Sequence, residues 1–128
     1  MNAPAVKVLI VEDEAIAALA LTHMLEDLGC EVVGVADTGD RCLALARAAT
    51  PDLLIMDVRL RGAMDGLQAA TELRRWLAAP IVFTSAYSQE ELVRRGAPER
   101  DVTFIGKPIA LHDLRRVLER FAERAQHP

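Results

Sequence analysis

Apolar residues along the chain follow two rhythms, and the rhythms alternate. Val6-Lys7-Val8-Leu9-Ile10-Val11 is a nearly unbroken β-branched run, which predicts a strand buried on both faces. Glu12-Asp13-Glu14 ends it abruptly. Ile16, Ala20, Met24 and Leu28 then recur at helical spacing and predict an inward face, with Gly29 as the stop. Glu31 to Val35 predicts a second strand, and Thr38 the N-cap of a helix running to about Ala48. After Pro51, Leu53 to Met56 predicts a short buried strand ending at Asp57. Gly62 and Gly66 bracket a loop, and the helix after it carries Leu67, Ala70, Leu73 and Leu77 on one face. Pro80 precedes the strand Ile81 to Ser85. Ser88 caps a short helix through Arg95, which Gly96 and Pro98 terminate. Val102 to Ile105 predicts the fifth strand. Lys107-Pro108 leads into a last amphipathic helix with Leu111, Leu114, Leu118, Phe121 and Ala125 inward.

A strand followed by a helix, five times over, demands right-handed crossovers and a parallel sheet with helices on both faces. Functional groups in such sheets gather beyond the carboxyl ends of the strands, near the switch in strand order. The 128 residues suit one domain, 1–128, large enough to bury a core without metal or disulfide support. A net charge of −4 argues against nucleic-acid binding, which needs a clustered basic surface. No apolar run approaches the roughly 20 residues that span a bilayer, so no membrane role is expected. Cys30 and Cys42 form no CxxC motif, and Met1 to Val6 lacks the pattern of a secretory leader. Reduced thiols in the cytoplasm are the expectation.

The predicted strand ends collect reactive groups. The first strand delivers Glu12 and Asp13, the third Asp57, the fourth Ser85 and the fifth Lys107. Taken singly these are ordinary: acidic residues after a strand are commonly solvated, a lone Asp or Ser there is commonly a cap, and Lys-Pro is commonly a loop. Taken together on one sheet edge they mean more. Clustered carboxylates need a cation or a shared proton at neutral pH, and a hard divalent ion held by oxygens, Mg²⁺ in the cell, suits them. Lys107 adds a positive charge for a phosphoryl oxygen, Ser85 adds a short donor, and Asp57 is left as a nucleophile that makes an acyl phosphate.

These segments resemble the bacterial two-component receiver domain, here as a single-domain response regulator, over nearly the whole chain. Val8-Leu9-Ile10-Val11-Glu12-Asp13-Glu14 resembles the family's first strand and acidic pair. Pro51-Asp52-Leu53-Leu54-Ile55-Met56-Asp57 resembles its phosphoacceptor strand. Pro80-Ile81-Val82-Phe83-Thr84-Ser85-Ala86 resembles the strand with the switch hydroxyl, and Phe104-Ile105-Gly106-Lys107-Pro108 the strand with the switch aromatic and the active-site Lys. The resemblance implies a flavodoxin-like, doubly wound sheet of five parallel strands with five helices. It implies phosphorylation of Asp57 by a histidine kinase or a histidine phosphotransfer protein, as one step of a phosphorelay. Asp13 and Asp57 would ligate Mg²⁺ directly, Arg59 through its backbone carbonyl and Glu12 largely through water. Ser85 and Lys107 would contact the phosphoryl group, and Phe104 would turn inward when Ser85 moves. Strand alternation sends only one of Thr84 and Ser85 toward the site. Ser85 is preferred because Ala86 then takes the small-residue place that follows the hydroxyl.

Three features depart from the family pattern. Phe104 lacks the hydroxyl that Tyr would supply. The fourth helix is short, so the partner surface is expected to be unusual. Arg59 stands two residues past Asp57, where it either pairs with Glu14 or a phosphoryl oxygen or stays in solvent. Arg59 and Tyr87, two past Ser85, are the side chains expected to modulate access of water. His23 reads as a surface or half-buried helix residue, His112 and His127 carry no signal, and Trp76 is expected to pack at the end of its helix. Arg94, Arg95, Arg115, Arg116, Arg120 and Arg124 form a solvated face or meet a partner's acids, including a second copy in a homodimer through the last helices. Only a few residues follow the last helix. The expected output is therefore protein–protein contact with a downstream protein, or service as a phosphate sink; the chain is no enzyme beyond self-catalysed phosphorylation and dephosphorylation. A Mg²⁺-dependent aspartyl phosphatase is expected to fit poorly, because Arg59 stands where its general acid should be and these 128 residues leave no room for the usual cap domain. A flavodoxin-type FMN protein fits poorly too, because Glu12-Asp13-Glu14 would repel the phosphate.

Overall fold

The structure, a computed structural model, describes residues 4–98 and 101–126. The chain runs β1 (Lys7–Val11), α1 (Ala15–Asp27), β2 (Glu31–Ala36), α2 (Gly39–Ala49), β3 (Leu53–Asp57), α3 (Gly66–Leu73), β4 (Ile81–Ser85), α4 (Gln89–Arg94), β5 (Val102–Gly106) and α5 (Leu111–Gln126). The five strands form one parallel sheet in the order β2-β1-β3-β4-β5. The chain turns one way from β1 to β2 and the other way to β3. The crevice between the carboxyl ends of β1 and β3 is thus the switch point of the sheet.

Alternation along the strands sorts the core into two clusters. Leu9, Val11, Leu54, Met56, Ile81 and Phe83 face α2, α3 and Leu92 of α4. Val8, Ile10, Leu53, Ile55, Val82 and Ile105 face Ala18, Leu21 and Leu25 of α1 and Leu114 and Val117 of α5. Cys42 lies in the first cluster and Cys30 packs against the second, so the sheet separates the two free thiols. Burial pushes the Cys42 thiol up to about 12.

Local capping sets the helix starts. The Thr38 side chain accepts from the Arg41 N–H and the Ser88 side chain from the Glu91 N–H, as the sequence predicts. Asp65 and Gln68 form a capping box for α3. Gly66 is therefore the first residue of α3 and not the far edge of a loop. Residue 66 must be glycine here, because a Cβ would lie 2.2 Å from the Asp57 carbonyl oxygen. Leu77 lies beyond the end of α3, partly buried against the first cluster.

Two inward faces differ from expectation. Ile16 and Ala20 point outward, Ile16 being 79% exposed, and Ala18, Leu21 and Leu25 are the buried residues of α1. Both stripes are apolar, so spacing alone could not choose between them. In α5, Leu111 and Ala125 are exposed, while Leu114 and Val117 are buried. Trp76 lies just past α3 under the Arg47 guanidinium, 4.8 Å from its ring. His23 is exposed, and His112 sits 3.3 Å from Asp113 at the surface. His127 lies outside the described residues. No helix among the described residues is long and apolar enough to cross a membrane.

Candidate functional site at the strand ends

Ladder bonds continue past the strands and fix the residues of the site. The Glu12 N–H donates to the Ala36 carbonyl (2.9 Å), the Val58 N–H to the Thr84 carbonyl (3.3 Å) and the Lys107 N–H to the Ser85 carbonyl (2.9 Å). Glu12, Asp57, Thr84 and Ser85 are the buried polar residues that result. One carboxylate oxygen from each of Glu12, Asp13 and Asp57 lies within 4.8 Å of the others.

Lys107 answers two of these charges. Its Nζ is 2.5 Å from Asp57 Oδ2 and 3.7 Å from Glu12 Oε2. The other Asp57 oxygen, Oδ1, accepts from the Arg59 N–H at 3.0 Å. Burial, then the hydrogen bond and charge of Asp57, raise the Glu12 carboxyl to about 7, with Lys107 and the Glu14 N–H pulling the other way. Burial works to lower the Lys107 ammonium, but its bond to Asp57 and the nearby charges of Asp57, Glu12 and Glu14 outweigh that and raise it. The donors are hard oxygens, with no thiol or imidazole among them. That set fits a small divalent cation such as Mg²⁺.

The other half of the constellation lies on β4 and β5. Ser85 pairs with Gly106 and Phe83 with Phe104. By strand alternation Ser85 follows Phe83 onto the α2–α4 face, and Phe104 packs against that same cluster. The Phe83 and Phe104 ring centroids are 5.8 Å apart. Thr84, opposite Asp57 in the ladder, falls on the other face. The Ser85 Oγ accepts from the Tyr87 N–H at 2.9 Å. Arg59 and Tyr87 line one cleft of about 520 Å³ with Val58, Leu60, Asp65, Leu67 and Arg95. Arg59 is exposed and makes no ion pair with Glu14 among the described residues.

Two contacts escaped the sequence reading. Arg95 lies over the Tyr87 ring, 4.4 Å from its centroid, and pairs with Glu91 at 3.0 Å. Arg61 approaches Asp13, with Nε to Oδ2 at 4.0 Å. Neither carries a motif, since the loop path that brings each one in is not written in local spacing.

Comparison with known proteins agrees with this geometry. The response regulator receiver domain, as a family model, matches residues 8–119. The transcriptional regulatory protein PdtaR of Mycobacterium tuberculosis is 40% identical over 113 residues, covering 88% of this chain and 55% of that protein. The chain thus spans about half the length of the curated relative it matches. The signal receiver domain of a modulated diguanylate cyclase from Desulfovibrio desulfuricans superposes with a TM-score of 0.81 at 33% identity, covering 96% of this chain and 98% of that one. The response regulator PhyR from Brucella abortus gives a TM-score of 0.75 at 30% identity, covering 97% and 53%. The flavodoxin-like expectation holds, and the chain belongs to the response-regulator receiver domain family.

Proposed function

We propose that Asp57 is the phosphoacceptor of a two-component relay. One Asp57 oxygen attacks the phosphorus of a phosphohistidine on a kinase or phosphotransfer protein. The N–P bond breaks as the O–P bond of an acyl phosphate forms, and the freed imidazole keeps the electron pair. The observation that carries this reading is the convergence of the Glu12, Asp13 and Asp57 oxygens within 4.8 Å, with Lys107 Nζ on Asp57 at 2.5 Å.

Asp13 and Asp57 would hold Mg²⁺ directly, the Arg59 carbonyl would add an oxygen and Glu12 would act through water. The ion, when bound, neutralises charge on the phosphoryl oxygens. Lys107, already drawn to Asp57, takes a phosphoryl oxygen as the group arrives. Ser85 exchanges its bond from the Tyr87 N–H for one to the phosphoryl group, and Phe104 moves into the space it leaves. Phosphorylation and its reversal are self-catalysed steps of a phosphoacceptor and not turnover of a separate substrate.

The setting is cytoplasmic, in keeping with two unpaired thiols. The phosphodonor is offered an apolar patch at the site's rim, where α1 exposes Ile16 (79%) and Leu19 (58%). Output passes to a downstream protein, or the phosphoryl group drains into a sink. Of the six arginines on the last two helices, Arg94 and Arg95 pair with Glu91 and Arg124 with Asp101, leaving Arg115, Arg116 and Arg120 exposed for a partner or a second copy. Labelling with acetyl phosphate and Mg²⁺, read by intact mass, tests the assignment. The wild type should gain one phosphoryl group and Asp57→Asn none; labelling of the mutant at the wild-type level rejects Asp57.

A further inference from the structure

The three carboxylates of the site are met by protein cations from two sides. Lys107 comes from the end of β5 and engages Asp57 and Glu12. Asp13 is left to Arg61, which arrives from the β3–α3 loop with its Nε 4.0 Å from Asp13 Oδ2. The two cations are held differently. Lys107 is 35% exposed, and the Arg61 side chain is 75% exposed, so little beyond charge keeps the guanidinium where it is.

The Arg61 backbone, by contrast, is fixed. It forms a parallel bridge with Thr38, which extends the sheet by one step beyond β2. Three residues on, Met64 packs against Gly39 so closely that a Cβ there would meet its side chain at 2.9 Å. The loop is anchored at two points on the start of α2, and neither anchor uses the guanidinium. Arg61 also borders an open cleft of about 510 Å³ lined by Glu12, Asp13, Asp37 and Arg41. Arg41 there is already paired with Asp37 at 3.5 Å. A cation entering the acidic cluster through this cleft passes a wall that carries Arg61.

We propose that Arg61 is a place-holding cation that sets how tightly the site binds its divalent ion. The guanidinium shields Asp13 while the site is metal-free, repels an arriving ion, and is displaced into solvent when Asp13 becomes a ligand. This rests on the reading of Glu12, Asp13 and Asp57 as the metal site. It makes Arg61 a residue that acts on the metal through Asp13 and that touches no reacting atom.

The test is isothermal calorimetry with Mg²⁺ on the unphosphorylated protein, so that binding is read without phosphotransfer. Arg61→Gln removes the charge and keeps most of the length; Arg61→Lys keeps the charge. Neither disturbs the backbone bridge. Arg61→Gln should bind Mg²⁺ about threefold more tightly at low salt, the size of an exposed ion pair, and the gain should shrink in high salt. Arg61→Lys should stay near the wild type. Unchanged or weaker binding in Arg61→Gln overturns the proposal, and so does equal tightening in both variants, which would assign the effect to shape and not to charge. Asp13→Asn, run alongside, separates the two levels of the argument. If it weakens binding while Arg61→Gln changes nothing, only the role of Arg61 fails. If it leaves binding unchanged, the metal-site reading fails and takes this one with it.

Discussion

The two halves of the site stand in very different surroundings: β1 and β3 deliver the acids, and the edge of α4 and β5 carries Phe104 and Lys107, with Ser85 on the buried strand β4 between them. β1 lies between β2 and β3, and β3 lies between β1 and β4; from Val8 to Val11 and from Leu53 to Asp57 every residue is buried. β5 is an edge strand with one buried residue, Ile105, and α4 is a six-residue helix that buries only Leu92. The acids therefore stand on a frame that cannot yield without opening the core. The aromatic and the helix that would pass a signal outward stand where a small shift costs little. A receiver needs both: fixed oxygens for the chemistry, and a loosely packed edge whose arrangement a single phosphoryl group can bias.

The largest expected effect breaks that comparison directly. Ile55→Ala in β3 removes a fully buried side chain and should cost about 2–5 kcal/mol, whereas Val102→Ala at the edge should cost about 1 kcal/mol. Urea denaturation of both variants decides it, and equal losses would mean that the edge is as firmly held as the centre. Next in size is the lifetime of the acyl phosphate. Arg59 follows β3 and Tyr87 follows β4, so the cleft they share joins the two halves. Replacing both by Ala should speed loss of phosphate about tenfold, roughly 1.4 kcal/mol of barrier, by admitting the attacking water. If Arg59→Ala alone slows the loss, Arg59 stabilises the transition state instead; if Tyr87→Ala changes nothing, Tyr87 shields nothing. The smallest effect concerns transmission. Beryllofluoride, a phosphoryl mimic, should alter hydrogen exchange in β4, α4, β5 and α5 of the wild type. In Arg95→Ala, which loses the contact to Tyr87, the response of α4 should fall by about half. Changes confined to the loop after Asp57 would deny any relay through the edge.

The same division explains what the sequence could and could not reveal. Strands buried on both faces write themselves as apolar runs, and Ile81 to Ser85 was legible to the residue. Asp57, Glu12-Asp13 and Lys107 were legible because strand ends are where such runs stop. Helix faces were harder. α1 is apolar nearly all round, so Ile16-Ala20 and Ala18-Leu21-Leu25 compete as inward stripes, and only packing against β1 and β3 selects the second. Strand parity does not decide between Ser85 and Thr84: Ser85 shares the face of Phe83, and Thr84 is the ladder partner of Asp57. Arg61 and Gly66 were illegible for a different reason. Their significance lies in where the β3–α3 loop returns, to Asp13 in one case and to the Asp57 carbonyl in the other.

The hydrogen bonds that Asp57 accepts from Arg59 and Lys107 carry a consequence for stereochemistry. Oδ1 is held by the Arg59 amide and Oδ2 by the Lys107 ammonium. Covalently the two oxygens are the same, so a half-turn of the carboxylate only exchanges them, but a quarter-turn would break both bonds at once. The proposed phosphoacceptor thus has its carboxylate plane set before any donor arrives. A free acyl phosphate and a phosphohistidine on a large protein would then meet the same carboxylate in the same plane. Differences in their rates would reflect how each donor is brought to that plane.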